Sequence, residues 1–312
     1  MDLKFYAGIQ TNKDTIATEN LHLLVATKCD VAPKYSTTNS KAIGVGGAFE
    51  SDGWVSKAEV DGTIETELTI SQLKLFLECG GYKAKAKGHN LEFELDPDGF
   101  SKYLSIFKDF YRENTYDVAK GCLISSIKLN TTLQAYVTGS FSLVGMDYEN
   151  KDQKLTPKLE RIAVADGRLK CLGTTIKESS TDITSKIESI DITIDRKLEG
   201  KGALNTIYNK AIKPSSKGEV SLSLQFNEFD KESYQKAVNM LKNNTSYEIE
   251  ISLADDLDPT RIIKIVFPKV KVSSTEVTDL EGTGGIQKEL KAYTPDGKDL
   301  PFTLEIANYT KA

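Results

Sequence analysis

Only two histidines, His22 and His89, occur in 312 residues. Imidazole is the usual acid–base group and metal ligand near neutral pH, so its scarcity narrows the catalytic readings at once. The sequence holds no G-x-S-x-G elbow, no H-E-x-x-H pair and no P-loop. Its four cysteines, Cys29, Cys79, Cys122 and Cys171, lie far apart and form no C-x-x-C pair, so they read as buried thiols and not as a metal or redox centre. A basic surplus is missing as well: 40 Lys and Arg stand against 45 Asp and Glu, a net charge of −5. A protein that grips a duplex draws affinity from neutralised phosphates, so this balance argues against tight DNA binding and leaves passive contact open. No apolar run approaches the ~20 residues that span a bilayer, and residues 1–10 lack the apolar core of a secretory signal. The chain is therefore expected to fold in a cytoplasm.

Residues that could suggest chemistry have plainer readings. His22 sits in the strand-like run Leu21-His22-Leu23-Leu24-Val25 and is expected to be structural. Gly44-Val45-Gly46-Gly47 resembles the start of a dinucleotide loop, but the next residues, Ala48-Phe49-Glu50-Ser51-Asp52-Gly53, do not open a helix; Glu281-Gly282-Thr283-Gly284-Gly285 has the same weakness. Asp255-Asp256-Leu257-Asp258 lacks the Gly and distal Glu of a calcium loop and reads as a turn. Glu65 and Glu67 lie on one wet strand face. Trp54, the single tryptophan, reads as a core plug, with a rim or interface anchor as the other possibility. No catalytic, cofactor-binding or metal-ligating residue is assigned, and no cofactor is expected.

What the sequence does have is alternation. Ile64, Thr66, Leu68 and Ile70 take one face against Glu65, Glu67 and Thr69. Val220, Leu222, Leu224 and Phe226 alternate with Ser221, Ser223 and Gln225; Ile190, Ile192 and Ile194 with Asp191, Thr193 and Asp195. Period two of this kind marks antiparallel strands with one buried face and one wet face. Only two stretches read as helices. One covers 71–79, with Ser71 as N-cap. The other covers about 230–241, with Asp230 as N-cap and the stripe Tyr234, Ala237, Val238 and Leu241 facing the core.

The two halves match in order. In each, a glycine-led alternating strand runs into a helix, then a strand, a polar turn, another strand and a closing strand. Strand starts at 103 and 247, and at 122 and 266, are both 144 apart. This predicts an internal duplication of a mostly β fold: two tandem β-sandwich or half-barrel domains, each with one short helix. The first is expected over 1–148, a connecting segment over 149–182 with a short hairpin across 159–172 turning at Asp166-Gly167, and the second over 183–312. Gly62 and Gly218 lie 156 apart, so the first copy carries roughly a dozen extra residues. They fall about 80–99, where Lys83, Lys85 and Lys87 alternate as on an exposed arm, expected to protrude and touch a neighbouring subunit.

Val60-Asp61-Gly62-Thr63-Ile64-Glu65-Thr66-Glu67-Leu68, Lys120-Gly121-Cys122-Leu123-Ile124-Ser125-Ser126-Ile127 and Val137-Thr138-Gly139-Ser140-Phe141 resemble the tail tube proteins of long-tailed bacteriophages. Ile187-Glu188-Ser189-Ile190-Asp191-Ile192-Thr193-Ile194 resembles the opening of the second repeat in their two-repeat form. The resemblance covers nearly the whole chain and rests on patterns of strands and glycines. It implies a structural, non-enzymatic virion subunit, assembled in the host cytoplasm, whose stacked rings form a hollow conduit for genome ejection. It also implies partners: further copies of the chain, a tape measure protein, tail terminator and baseplate proteins, and double-stranded DNA that passes without specific binding; no membrane is involved. Sixfold rings in single-repeat relatives imply a trimeric ring with pseudo-sixfold symmetry here. Wet faces such as residues 63–69 and 221–225 would line the lumen. The other reading is a β-sandwich binding or adhesion module of a surface or virion structure.

Overall fold

The computed structural model describes residues 3–39, 53–160, 166–204, 206–278, 285–296 and 298–309. The protein is mostly β, antiparallel, with two α-helices among the described residues. The first half supplies β1 (Leu3–Gln10), β2 (His22–Leu23), β3 (Ala26–Cys29), β4 (Ala32–Thr38), β5 (Trp54–Glu67) and α1 (Ile70–Cys79). It continues with β6 (Tyr82–Lys87), β7 (Asn90–Leu95), β8 (Tyr103–Phe110), β9 (Thr115–Thr132), β10 (Thr138–Gly145) and β11 (Asp147–Lys151). The second half supplies β12 (Leu169–Glu178), β13 (Thr181–Asp182), β14 (Ile187–Asp195), β15 (Leu198–Ala203), β16 (Thr206–Pro214) and β17 (Glu219–Phe226). It ends with α2 (Lys231–Asn243), β18 (Tyr247–Asp255), β19 (Ile262–Thr278), β20 (Gly285–Ala292) and β21 (Thr303–Ala307).

Two long strands organise the molecule because each serves two sheets. The first part of β9 pairs with β8 and β11; its last part pairs with β10 and β14. The change of direction needs Gly121, at φ +64, where a Cβ would stand 2.9 Å from Met146 Cβ and 3.0 Å from Lys13 O. Strand β19 does the same, pairing first with β18 and β21 and then with β20. One run of strands results, β3/β4–β5–β10–β9–β14–β17–β20–β19. Two outer sheets stand beside it: β2–β1–β8–β9–β11 and β13–β12–β18–β19–β21–β7–β6.

The halves share irregularities as well as order. Strands β10 and β9 slip at Ser125, which has no residue opposite it on β10; β20 and β19 slip at Ser273 in the same way. Strands β3 and β5 slip at Thr27, β14 and β17 at Glu188. A bulge changes local twist and is costly to place at random, so shared bulges say more than shared strand count. The halves are also joined more closely than two tandem units on a linker. One apolar core contains Leu68, Phe76 and Phe141 from the first half together with Ile192, Leu222 and Phe267 from the second.

Several details differ from expectation. Helix α1 begins one residue earlier than expected, and its N-cap is Thr69, whose Oγ1 accepts from Gln72 N at 3.3 Å; Ser71 instead donates its hydroxyl to Asp166. Asp230 does cap α2, accepting from Glu232 N at 3.0 Å. Of the hairpin expected over 159–172, residues 161–165 lie outside the described residues; on either side, Leu159 bridges Leu21, and Leu169–Glu178 pairs with β18 as a strand of the second outer sheet. The arm is a hairpin, β6–β7, but β7 is taken by β21 of its own chain, with Phe93 opposite Leu304 and Leu91 opposite Ile306. It therefore stitches the halves together, and of its two strands the lysine-bearing β6 is left as an edge. Trp54 is 65% exposed, not a core plug, because it lies where β5 extends past the sheet as a ribbon with β4.

Candidate functional site

The feature with functional reach is the polar face of the eight-membered run. Period two puts Ile190, Ile192, Ile194, Leu222 and Leu224 into the core and leaves a row of short polar groups on the other side. That face carries Thr63, Glu65 and Glu67 of β5, Ser140 and Ser142 of β10, and Ser126, Lys128 and Asn130 of β9. It continues through Asp191, Thr193 and Asp195 of β14, Glu219, Ser221, Ser223 and Gln225 of β17, and Gln287, Glu289 and Lys291 of β20.

Its electrostatics are lopsided. Counting Lys28 of β3, Asp30 and Lys34 of the β3–β4 edge, Asp61 of β5, and Lys271 and Glu276 of β19, nine carboxylates meet five ammonium groups on this face. Four of the five cations are clipped to carboxylates. Lys28 lies 3.3 Å from Asp30 and 3.5 Å from Glu65; Lys34 pairs with Asp61; Lys128 lies 3.1 Å from Asp191; Lys291 pairs with Glu219. Hydrogen bonding and charge from Lys291 hold the Glu219 carboxyl below its usual range, and Glu219 raises the ammonium in return. Lys271 sits over the Tyr293 ring at 5.5 Å and donates to Asn244 at 2.9 Å. The neutral groups are bonded within the face, as in Ser223 to Glu289 at 2.7 Å and Gln225 to Thr278 at 2.9 Å. A polyanion meeting this surface finds carboxylates and hydroxyls, with few ammonium groups free to hold a phosphate.

Both ends of the run are open. Among the described residues, β3 and β4 pair only with β5, and the stretch of β19 after Val270 pairs only with β20. Two ribbons leave the same region side by side: the distal part of β4–β5 and the hairpin β15–β16. The β15–β16 hairpin is anchored on the sheet where Asn209 Nδ2 donates to Gly145 O of β10 at 3.1 Å and Ile212 packs with Leu123 of β9 and Met146, and its β16 lies against β5. Beside Tyr35, burial pushes the Tyr208 phenol up to about 12. Tyr35, Trp54 and Val55 on one ribbon and Leu204 on the other are exposed.

The other residues singled out in the sequence fall where bland chemistry explains them. His22 pairs with Glu160, and burial holds the imidazole below its usual value. His89 occupies the turn of the β6–β7 hairpin. Cys79 and Cys122 are buried, Cys29 and Cys171 half-buried, and all four are free. Asp255 is a turn anchor: Oδ1 accepts from Leu257 N and Asp258 N, and Oδ2 meets Arg261 at 2.7 Å. Residues 44–47 and 281–284 lie outside the described residues. No group of three His, Cys, Asp or Glu able to hold a metal occurs among the described residues, and no described helix is long and apolar enough to cross a membrane. One buried charge cluster escaped the sequence reading. Lys288 of β20, 1% exposed, lies over the Phe226 ring at 4.6 Å and 3.7 Å from Glu178, which also takes Lys236 of α2 at 2.9 Å. A lysine at a core position of an alternating strand is the signal that could have found it.

A family model described as phage tail tube protein matches residues 6–303. No curated protein matches.

Proposed function

The chain belongs to the phage tail tube protein family, and from that premise we propose that it is a ring-forming subunit whose stacked rings make a hollow conduit for genome ejection. The family supports a structural role in the virion tail and self-association into a tube. The observation that carries the finer reading is the polar face: it runs unbroken through both halves, is rich in hydroxyls and carboxylates, and keeps most of its lysines in ion pairs. A wall that passes DNA must not bind it, since every free cation adds affinity and slows transit. DNA is thus a passing polyanion here, and the chain acts without catalysis or cofactor.

The matched pairing order and bulges support a duplicated unit. Each half then fills one position of a ring, and three chains supply six positions. A trimeric ring with pseudo-sixfold symmetry results, since heterologous contacts that close make rings. The exposed apolar ends of the two ribbons, with Trp54 and Leu204, are suited to ring-on-ring stacking. A tape measure protein and terminator or baseplate proteins would meet the tube at its lumen and ends.

Negative-stain microscopy of the purified protein, with mass measurement of single rings, tests this. Tubes or rings of three chains are expected. Rings of six chains, with one half in the wall and the other outside, would overturn the trimer. A monomer that forms neither rings nor tubes under any assembly condition would overturn the conduit.

A further inference from the structure

The junction between the halves is a finished interface, and the open ends of the sheet carry the two sides of a second one. At the finished junction β9 pairs with β14: Asn130 opposite Asp191, Leu129 opposite Ile192, Lys128 opposite Thr193, Ile127 opposite Ile194 and Ser126 opposite Asp195. The shared bulges fix the equivalences. Ser125 and Ser273 differ by 148, so 126–130 of β9 correspond to 274–278 of β19. Ala26 and Lys28 stand to β5 as Ile187 and Ser189 stand to β17, a difference of 161, so 30–34 correspond to 191–195.

Resting on the ring reading above, we propose that β19 of one copy pairs antiparallel with the β3–β4 edge of the next in one definite register: Thr278 with Asp30, Val277 with Val31, Glu276 with Ala32, Thr275 with Pro33 and Ser274 with Lys34. Three further observations support it. The first is apolar: Ile192 and Leu129, the equivalents of Val31 and Val277, are both buried at the finished junction, whereas Val31 is buried and Val277 is 54% exposed for want of a neighbour. The second is charge. At the finished junction Lys128 lies diagonally between Asp191 and Asp195, 3.1 Å from the former. At the open ends Glu276 takes the place of Lys128 and Lys34 the place of Asp195. That diagonal is attractive with both signs reversed; the other becomes Glu276 against Asp30, two carboxylates, with Asp30 held by Lys28 at 3.3 Å and Lys34 paired with Asp61 of its own chain.

The third is the backbone. Asp30 N donates to Thr63 O at 3.1 Å, which turns the hydrogen-bonding groups of 30, 32 and 34 toward β5 and those of 31 and 33 outward. At the finished junction Arg196 N donates to Ser125 O at 2.7 Å, so 192 and 194 turn toward β9 as the register requires. Pro33 then offers the open edge a carbonyl but no N–H. An edge with one donor deleted is a poor template for indiscriminate strands and still accepts a partner in the correct register.

The test is disulfide trapping in the full chain, with Cys29→Ser and Cys171→Ser as background. Ala32 and Glu276 form a pair without mutual hydrogen bonds, the closer type of antiparallel pair at ~4.5 Å between Cα atoms and within disulfide reach. The double variant Ala32→Cys, Glu276→Cys is assembled, oxidised mildly and run on a denaturing gel without reductant. The expected result is a ladder that ends at a covalent, closed three-chain species, with each single-cysteine variant staying monomeric. A ladder ending at six chains supports the junction and overturns the trimer. Normal tubes that trap through Lys34→Cys, Glu276→Cys, and not through the predicted pair, overturn the register and leave the conduit standing. Normal tubes in which neither pair traps, while thermal melting shows both variants folded, overturn the junction itself.

Discussion

The two helices follow equivalent strands and have opposite fates. Helix α1 buries eight of its ten residues, and Phe76 stacks on Phe141 with ring centroids 4.1 Å apart. Helix α2 is thirteen residues long and buries only Ala237; Tyr234, Val238 and Met240 are half-buried and Leu241 is exposed. The difference lies in what covers them. The β6–β7 hairpin follows α1 after two residues and carries Tyr82 and Phe93 into the core. From α2 the chain goes straight to β18 across Asn244, Thr245 and Ser246, and nothing like the hairpin returns. The extra segment of the first half is a cover for one helix and, through β21, a clasp on the second half. Charges do part of that work for α2, through Lys186 to Asp230 at 2.6 Å and Lys236 to Glu178 at 2.9 Å.

Deleting 83–95 should break this comparison most severely. Losing the Phe93 side chain alone is expected to cost about 3–5 kcal/mol, and the deletion also strips the pairing from β21. Against a native stability of about 5–15 kcal/mol, loss of cooperative folding is the expected outcome. Chemical denaturation of the monomer decides it. A deletion variant that melts like the parent and fails only in assembly would make the hairpin an outward-reaching device after all.

Point substitutions should then separate the helices. Phe76→Ala is expected to destabilise by about 3–5 kcal/mol, because it empties a fully enclosed site. Tyr234→Ala should cost about 1 kcal/mol, because its site opens to solvent and can relax. Equal losses in urea titrations would mean that α2 is as much a part of the fold as α1.

The buried charges beneath α2 offer an intermediate case. Glu178→Ala leaves Lys288 uncompensated in the core and is expected to cost about 3 kcal/mol. Lys288→Met fills the same volume without a charge; burial already holds the Lys288 ammonium below its usual value, so this variant should melt no lower than the parent. A large loss from Lys288→Met would show that the pair contributes net stability.

How much of this could be read from the sequence depends on how each element declares itself. Alternation with one wet face announced β5, β14 and β17, because Ile64 and Glu65 or Ile192 and Asp191 are chemically opposite neighbours. Strands β15 and β16 were silent: Leu198, Glu199, Gly200, Lys201, Gly202 and Ala203 form a ribbon with no buried face to pattern. Strand β21 is short and gains its place only from β19 and β7, partners far away in sequence. The arm was found by counting residues, but counting cannot tell which edge a hairpin will meet. Ser71 was read as the cap of α1, but Asp166, 95 residues on, claims its hydroxyl and Thr69 caps instead. The polar face was legible strand by strand, whereas its continuity across the halves required the pairing of β9 with β14.

The smallest effect expected is also the most local, and it again sets α1 against α2. Both helices rely on one capping side chain, but Thr69 is a buried neutral hydroxyl and Asp230 a half-buried carboxylate. Bonds from Lys186 and Ser233 hold the Asp230 carboxyl well below its ordinary value. A group depressed in the folded state stabilises it above the unfolded value, about 4 for Asp, and loses that contribution as pH falls through and below that point. The cap is worth about 1 kcal/mol; the exposed ion pair with Lys186 adds little, because solvent and salt screen it. Between pH 6 and pH 3, amide protection in α2 should therefore drop by about fivefold after correction for the intrinsic pH dependence of exchange, while α1 is unchanged. Asp230→Asn keeps a capping oxygen without the titration and should flatten the α2 response. If α2 in the parent protein is as insensitive to acid as α1, the Asp230 carboxylate is not what holds the uncovered helix in place.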